Sequence, residues 1–184
     1  GCHAVAADRR CAGRAPWRSA AAVCWELGRE CPINVPDSIV RYAWERRVNS
    51  PQSSAAGRLF DAAAAIILSL GETSFEGQGP MWLEAIARDP AAFPQLELRL
   101  AAAGRLELDW APLVNWLLQA PPTTPADRAD RAGAVHASLA DGIVRVAERL
   151  RDRSGSSIVG LTGGVFQNRR LTEVALAGLS SSGF

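Results

Sequence analysis

Apolar residues recur at helical spacing through most of this chain, and two short stretches break the rhythm. Pro16 followed by WRSAAAVCWELG predicts a helix with proline in its first turn and Gly28 just past its end, where each residue costs least. Pro36 opens a second helix, DSIVRYAWERRV. Ser53 or Ser54 is placed to cap a third, AAGRLFDAAAAIILSL, in which Leu59, Ala62, Ala63, Ile66, Ile67 and Leu70 form one face and Gly71 is the stop. That helix is apolar almost all round, so it is expected to be buried. Residues 79–88 make a fourth helix, ended by Asp89-Pro90.

QLELRL and RLELDW, separated by AAAG, alternate apolar and polar positions and predict a half-buried hairpin. Asp109 is then placed to cap the helix WAPLVNWLLQA, and PPTTPAD connects elements within one domain. The longest helix, about residues 125–152, carries Val135, Leu139, Ile143, Val146 and Leu150 on one face. The second break follows it. SSIVGLTGGVFQNRRLTEVALAGL predicts a buried strand over residues 157–162, a solvent-open Gly163-Gly164 turn, and a helix starting near Val165.

Composition narrows the function classes. The formal net charge is +1, with acidic and basic residues spread along the chain, so the electrostatic footprint of nucleic-acid binding is missing. All 20 basic residues are arginine, which rules out a phosphate-binding or Schiff-base lysine within these residues. Cys2, Cys11, Cys24 and Cys31 form no CxxC pair and are expected to be reduced thiols of a cytoplasmic protein. No apolar run reaches the roughly 18 residues a membrane span needs, and the signal-peptide layout is not seen. Residues 1–15, starting at Gly1, have no clear period and read as a ragged N-terminal edge.

The strand, Gly163-Gly164, helix unit would bring backbone N–H groups and a positive helix end to a point without side chains, a geometry suited to a nucleotide or phosphate. Asn168, one turn into the helix, can donate and accept toward the same mouth. Adjacent glycines also serve tight turns for steric reasons alone. Asp61, flanked by Phe60 and Ala62, must be paired, placed at an edge or aimed at a ligand. Arg58 offers the plain alternative of a helix ion pair. Glu76, Gly77 and Gln78 lie in a turn that permits close backbone approach, although a simple lead into the next helix accounts for it too. His136, beside Val135 on the long helix, reads as a structural histidine, and no second histidine stands near it to complete a metal pair.

SSAAGRLFDAAAAIILSLGETSFEGQ, followed about 85 residues later by GLTGGVFQNRRLTE, closely resembles the C-terminal region of the HypF carbamoyltransferases of [NiFe] hydrogenase maturation. APWRSA, LELDWAPL and VHASLADGI extend the resemblance over about residues 13–184. It implies a helix-rich α/β fold: residues 16–184 as part of one lobe, the second, of an actin-like, sugar-kinase-like (ASKHA) ATPase. The domain is expected to be cut short at its C-terminal end, where the family continues into a glycine-rich stretch with an aspartate.

The resemblance further implies a nucleotide site at Asp61, Gly163, Gly164 and Asn168. With Glu76, Gly77 and Gln78 these make the candidate nucleotide-binding set, and no catalytic residue is assigned. The family uses carbamoyl phosphate and ATP to make carbamoyl-adenylate, whose carbamoyl group passes to the C-terminal cysteine of a HypE-type partner. Family metal ligands come from a histidine-rich motif with no counterpart here. The chain is therefore expected to be a fragment, inactive alone. The alternatives are a non-catalytic interaction module and another carbamoyltransferase of the same superfamily.

Overall fold

The computed structural model describes residues 3–4, 14–35 and 38–184. Seven α-helices and two short two-stranded antiparallel ladders are seen among them. Helix α1 (Pro16–Glu26) begins with its proline and runs out at Leu27, with Gly28 at φ 64° turning the chain away. The second helix, α2, spans Ser38–Glu45. The expected opening residue Pro36 lies outside the described residues, as do Cys2 and Cys11. Cys24 is buried in α1 and Cys31 half-buried beyond it.

At the centre lies α3 (Ala56–Leu68), every residue of which is buried from Leu59 to Ile67. The apolar circumference read from the sequence explains this, because α1, α4, α5 and α6 all pack around it. Fully burying a side chain such as Phe60 or Ile67 contributes about 1.5–3 kcal/mol. The predicted serine cap does not form. The residue before the helix is Ala55, and Ser53 sits in strand β2 (Gln52–Ser53), paired antiparallel with β1 (His3–Ala4), its hydroxyl accepting from the Ala55 N–H at 3.2 Å. The helix also stops before Gly71, with Ser69 in the left-handed conformation at φ 56°.

Helix α4 covers Gln78–Ile86. The hairpin is as predicted: β3 (Glu97–Leu100) and β4 (Leu106–Asp109) run antiparallel, with Leu98 opposite Leu108. Asp109 Oδ1 accepts from the Ala111 N–H at 3.0 Å and so holds the start of α5 (Ala111–Gln119) from the position before its cap residue. Helix α6 (Pro125–Ser154) opens with a reciprocal cap in which Thr124 and Asp127 each accept the other's backbone N–H. Its packing depends on a missing side chain. A Cβ on Gly133 would overlap the carbonyl oxygen of Arg88, just past α4.

The buried strand expected over residues 157–162 is not there. Gly155 ends α6 in the left-handed region at φ 72° and sends the chain outward, leaving Ile158 87% exposed. A strand exists by virtue of a ladder partner, and the four described strands pair only as β1–β2 and β3–β4. Two of the backbone donors here go instead to serine hydroxyls, Ser156 N–H to Ser154 Oγ and Ile158 N–H to Ser156 Oγ. The helix expected near Val165 is a 3-10 turn over Gly164–Gln167, followed by α7 (Arg169–Ser181), which packs along α6.

Candidate functional site

Three pieces of chain meet at one cleft. The first is the N-terminal half of α3, which carries Arg58 and Asp61 three residues apart on the same face. Asp61 is 2% exposed, and Arg58 Nη1 lies 3.0 Å from its Oδ2. That approach is an ion pair without hydrogen-bond alignment, so the buried Oδ2 has no donor aimed at it. Burial raises the Asp61 carboxyl to about pKa 7; the Arg58 cation opposes the rise and the Glu76 charge adds to it. Of the readings the sequence offered for Asp61, the ion pair with Arg58 is present.

The second piece is the turn before α4. Gly77 at φ 86° takes the conformation that glycine alone adopts without strain, and thereby brings Glu76 over Arg58, whose Nη2 donates to Glu76 Oε1 at 2.9 Å. Gln78 turns the other way. Its Oε1 accepts from the Ser74 N–H at 2.8 Å, which fixes the turn.

The third piece is the segment from Gly163 to the start of α7. Gly163 holds φ 103° and ψ 161°, and both glycines are exposed, so the solvent-open turn is present. Asn168 is not one turn inside a helix but caps α7, its Oδ1 accepting from the Leu171 N–H at 2.8 Å. Asn168 Nδ2 lies 3.0 Å from His136 Nε2. The expectation that α7 presents its free N–H groups to a phosphate needs correction. Glu84 Oε1 accepts from the N–H of Arg169 at 2.8 Å and of Arg170 at 3.3 Å, so a carboxylate from α4 already occupies the positive end of the helix.

Together these pieces line an open cleft of about 770 Å³. Asp61, Glu76, Gly77, Gly164 and Asn168 are on its wall, joined by Arg58, Glu84, Val165 and Gln167. Asp61 and Gly164 thus face the same space although about a hundred residues separate them. Gln78 and Gly163 adjoin the cleft without lining it. Among the described residues no three His, Cys, Asp or Glu side chains are grouped to hold a metal ion, and no helix is long and apolar enough to cross a membrane.

Sequence reasoning missed Glu84 and the part played by His136. Glu84 looks like any exposed helical carboxylate, and only the approach of α7 gives it two backbone donors. His136 did carry a signal, a histidine on an apolar face of a long helix. The sequence could not show which polar group would meet its second nitrogen.

Residues 6–184 match the family described as the second subdomain of the carbamoyltransferase Kae1-like domain. Carbamoyltransferase HypF of Rhodobacter capsulatus is 36% identical over 175 residues, covering 91% of this chain and 22% of that protein. A carbamoyltransferase HypF homolog of Cupriavidus necator is 32% identical over 185 residues, covering 94% of this chain and 47% of that protein. The chain therefore spans between about a fifth and a half of these relatives. Among solved structures, full-length HypF in its phosphate- and nucleotide-bound form superposes with a TM-score of 0.81 at 23% identity, over 99% of this chain and 25% of that one. The T. kodakarensis HypF structure gives 0.76 at 22% identity. These likenesses carry the fold, one helix-rich lobe of an actin-like architecture.

Proposed function

The chain belongs to the HypF carbamoyltransferase family, and we propose that it forms the nucleotide-facing lobe of an enzyme that carbamoylates a cysteine during [NiFe] hydrogenase maturation. The observation that carries this reading is the cleft, where Asp61, Gly164 and Asn168 converge from distant parts of the chain. The solved full-length relative was crystallised with phosphate and nucleotide, which supports a nucleotide as the occupant.

The residues present fit such a group. Asp61 Oδ2 is buried without an aligned donor, and a sugar hydroxyl would supply one. Asn168 keeps a second N–H beyond the one facing His136 and a second carbonyl lone pair beyond the one that caps α7. Gly164 stands beside open space, with nothing within 4 Å of where a Cβ would be, so a ligand has room beside its backbone. Arg58 offers a cation at the cleft wall, and it is only 18% exposed.

On this reading the donor is carbamoyl-adenylate, made from carbamoyl phosphate and ATP by the whole protein. A C-terminal cysteine thiolate of a HypE-type partner attacks the carbamoyl carbon. The C–S bond forms, the C–O bond to the adenylate phosphate breaks, and AMP leaves with the electron pair. This lobe contributes binding and orientation of the nucleotide. The test is transfer of radiolabelled carbamoyl from carbamoyl phosphate to the HypE-type partner by a full-length protein containing this lobe. Asp61→Ala and Asn168→Ala should each lower transfer at least tenfold, the loss expected when about 1.4 kcal/mol of binding is removed. Unchanged transfer in both variants would end the assignment of this cleft.

A further inference from the structure

We propose that His136 is a positioning residue for Asn168, a neutral imidazole that sets which atom of the asparagine amide faces which way at the cleft. Three contacts over-determine the arrangement. His136 Nδ1 lies 2.7 Å from the Ala132 carbonyl oxygen, which can only accept, so the ring proton belongs on Nδ1. In a neutral ring Nε2 is then an acceptor, and the Asn168 atom 3.0 Å from it must be the NH2. That leaves Oδ1 on the other side, where the Leu171 N–H, a donor, meets it at 2.8 Å. Turning the amide over would set donor against donor at Leu171 and acceptor against acceptor at His136.

The surroundings keep the ring neutral and still. His136 is fully buried, with the Phe60 ring of α3 centred 5.1 Å away. Burial, the largest influence, holds its pKa below the ordinary histidine range. Of the charged groups facing it, Arg170 on α7 lowers the pKa further and Glu84 on α4 opposes that, while the Ala132 carbonyl also favours the proton. Protonation would put hydrogen on Nε2, remove the acceptor for Asn168, and release the side chain that caps α7. His136 does not line the cleft, so it would touch no ligand and act only through Asn168.

Nitrogen-15 NMR of a full-length protein containing this lobe, labelled at histidine, asparagine and leucine, tests this directly. We expect a neutral His136 ring protonated on Nδ1, with the Asn168 side-chain amide and the His136 ring shifting at one common midpoint as pH is lowered. His136→Leu should speed exchange of the Leu171 amide about tenfold, the loss of one buried hydrogen bond. His136→Gln, which restores an acceptor, should keep exchange within about twofold of the parent. The nucleotide part rests on the reading of the cleft above: in a full-length protein containing this lobe, ATP added as the probe should bind at least fivefold more weakly to His136→Leu and near normally to His136→Gln. A ring protonated on Nε2 would overturn the proposal. So would a His136 titration that leaves Asn168 unmoved, or Leu171 exchange unchanged in a folded His136→Leu chain. If His136→Leu does not fold, the parent's tautomer and titration decide. A full-length parent that binds no ATP would count against the cleft and leave the tautomer, titration and exchange results to judge His136.

Discussion

Glu84 Oε1 stands 2.8 Å from the backbone nitrogen of Arg169, so the carboxylate of one helix closes the positive end of another 85 residues further along the chain. An anion is therefore already built into the place where a helix-start argument would put a phosphate. Glu84→Ala should destabilise the fold by about 1–2 kcal/mol, the worth of a helix cap with its charge. It should also create a phosphate response the parent lacks, a rise in melting temperature with added inorganic phosphate. Equal phosphate responses in parent and variant would show that Glu84 does not hold that end.

The pH dependence of stability should carry the mark of Asp61. Its carboxyl is raised from 3.8 in the unfolded chain to about 7 in the fold, so between those values the folded state keeps a proton that the unfolded state has lost. This contribution is fully present below pH ~4, declines as pH rises toward about 7, and is gone above it. At about 1.4 kcal/mol per pKa unit the change is on the order of 4 kcal/mol. Asp61→Asn should flatten that slope in urea unfolding followed from pH 5 to pH 8. A variant as pH-sensitive as the parent would place the origin elsewhere.

Gly133→Ala should be among the most damaging single-methyl additions in the molecule. The new Cβ would overlap the Arg88 carbonyl oxygen, a backbone atom that cannot swing aside as a side chain could, and stand 3.3 Å from Pro90 Cδ. Forcing α6 away from the end of α4 should cost about 3 kcal/mol or more, read as a shift in urea midpoint. By contrast Gly57→Ala, with nothing within 4 Å of the added carbon, should be neutral or slightly stabilising.

Purified alone, the 184-residue chain should bind ATP weakly and transfer no carbamoyl group, while a full-length protein containing it should do both. Actin-like nucleotide sites lie between two lobes, and the loss of contacts worth about 3 kcal/mol already lowers affinity roughly a hundredfold. The isolated chain should also self-associate. Ile158 at 87% and Leu150 at 48% exposure border an open apolar groove shared with Val146, Val159 and Phe184. Sedimentation should show association weakened by Ile158→Ser. Calorimetry giving micromolar ATP binding by this chain would show that one lobe suffices.

The sequence by itself determined most of the helices, the hairpin and the central position of α3, because each follows from residues close in the chain: the 3, 4, 3 spacing from Leu59 to Ile67, the alternation in LELRL and LELD, and Pro16 and Gly28 at the two ends of α1. It also contained, in GRLFD, FEGQ and GGVFQN, the segments that build the cleft, and the motif order that marks the family. Tertiary structure decided what those segments do to one another. A strand needs a partner, so SIVGL stands open here despite its composition. A helix end takes the nearest carboxylate, and only packing brings Glu84 to α7. An amide can face two ways, and it took the meeting of His136 on α6 with Asn168 before α7 to choose one. Spacing along a chain fixes which face of an element a residue occupies; hydrogen-bond partners across elements depend on packing geometry that local periodicity does not encode.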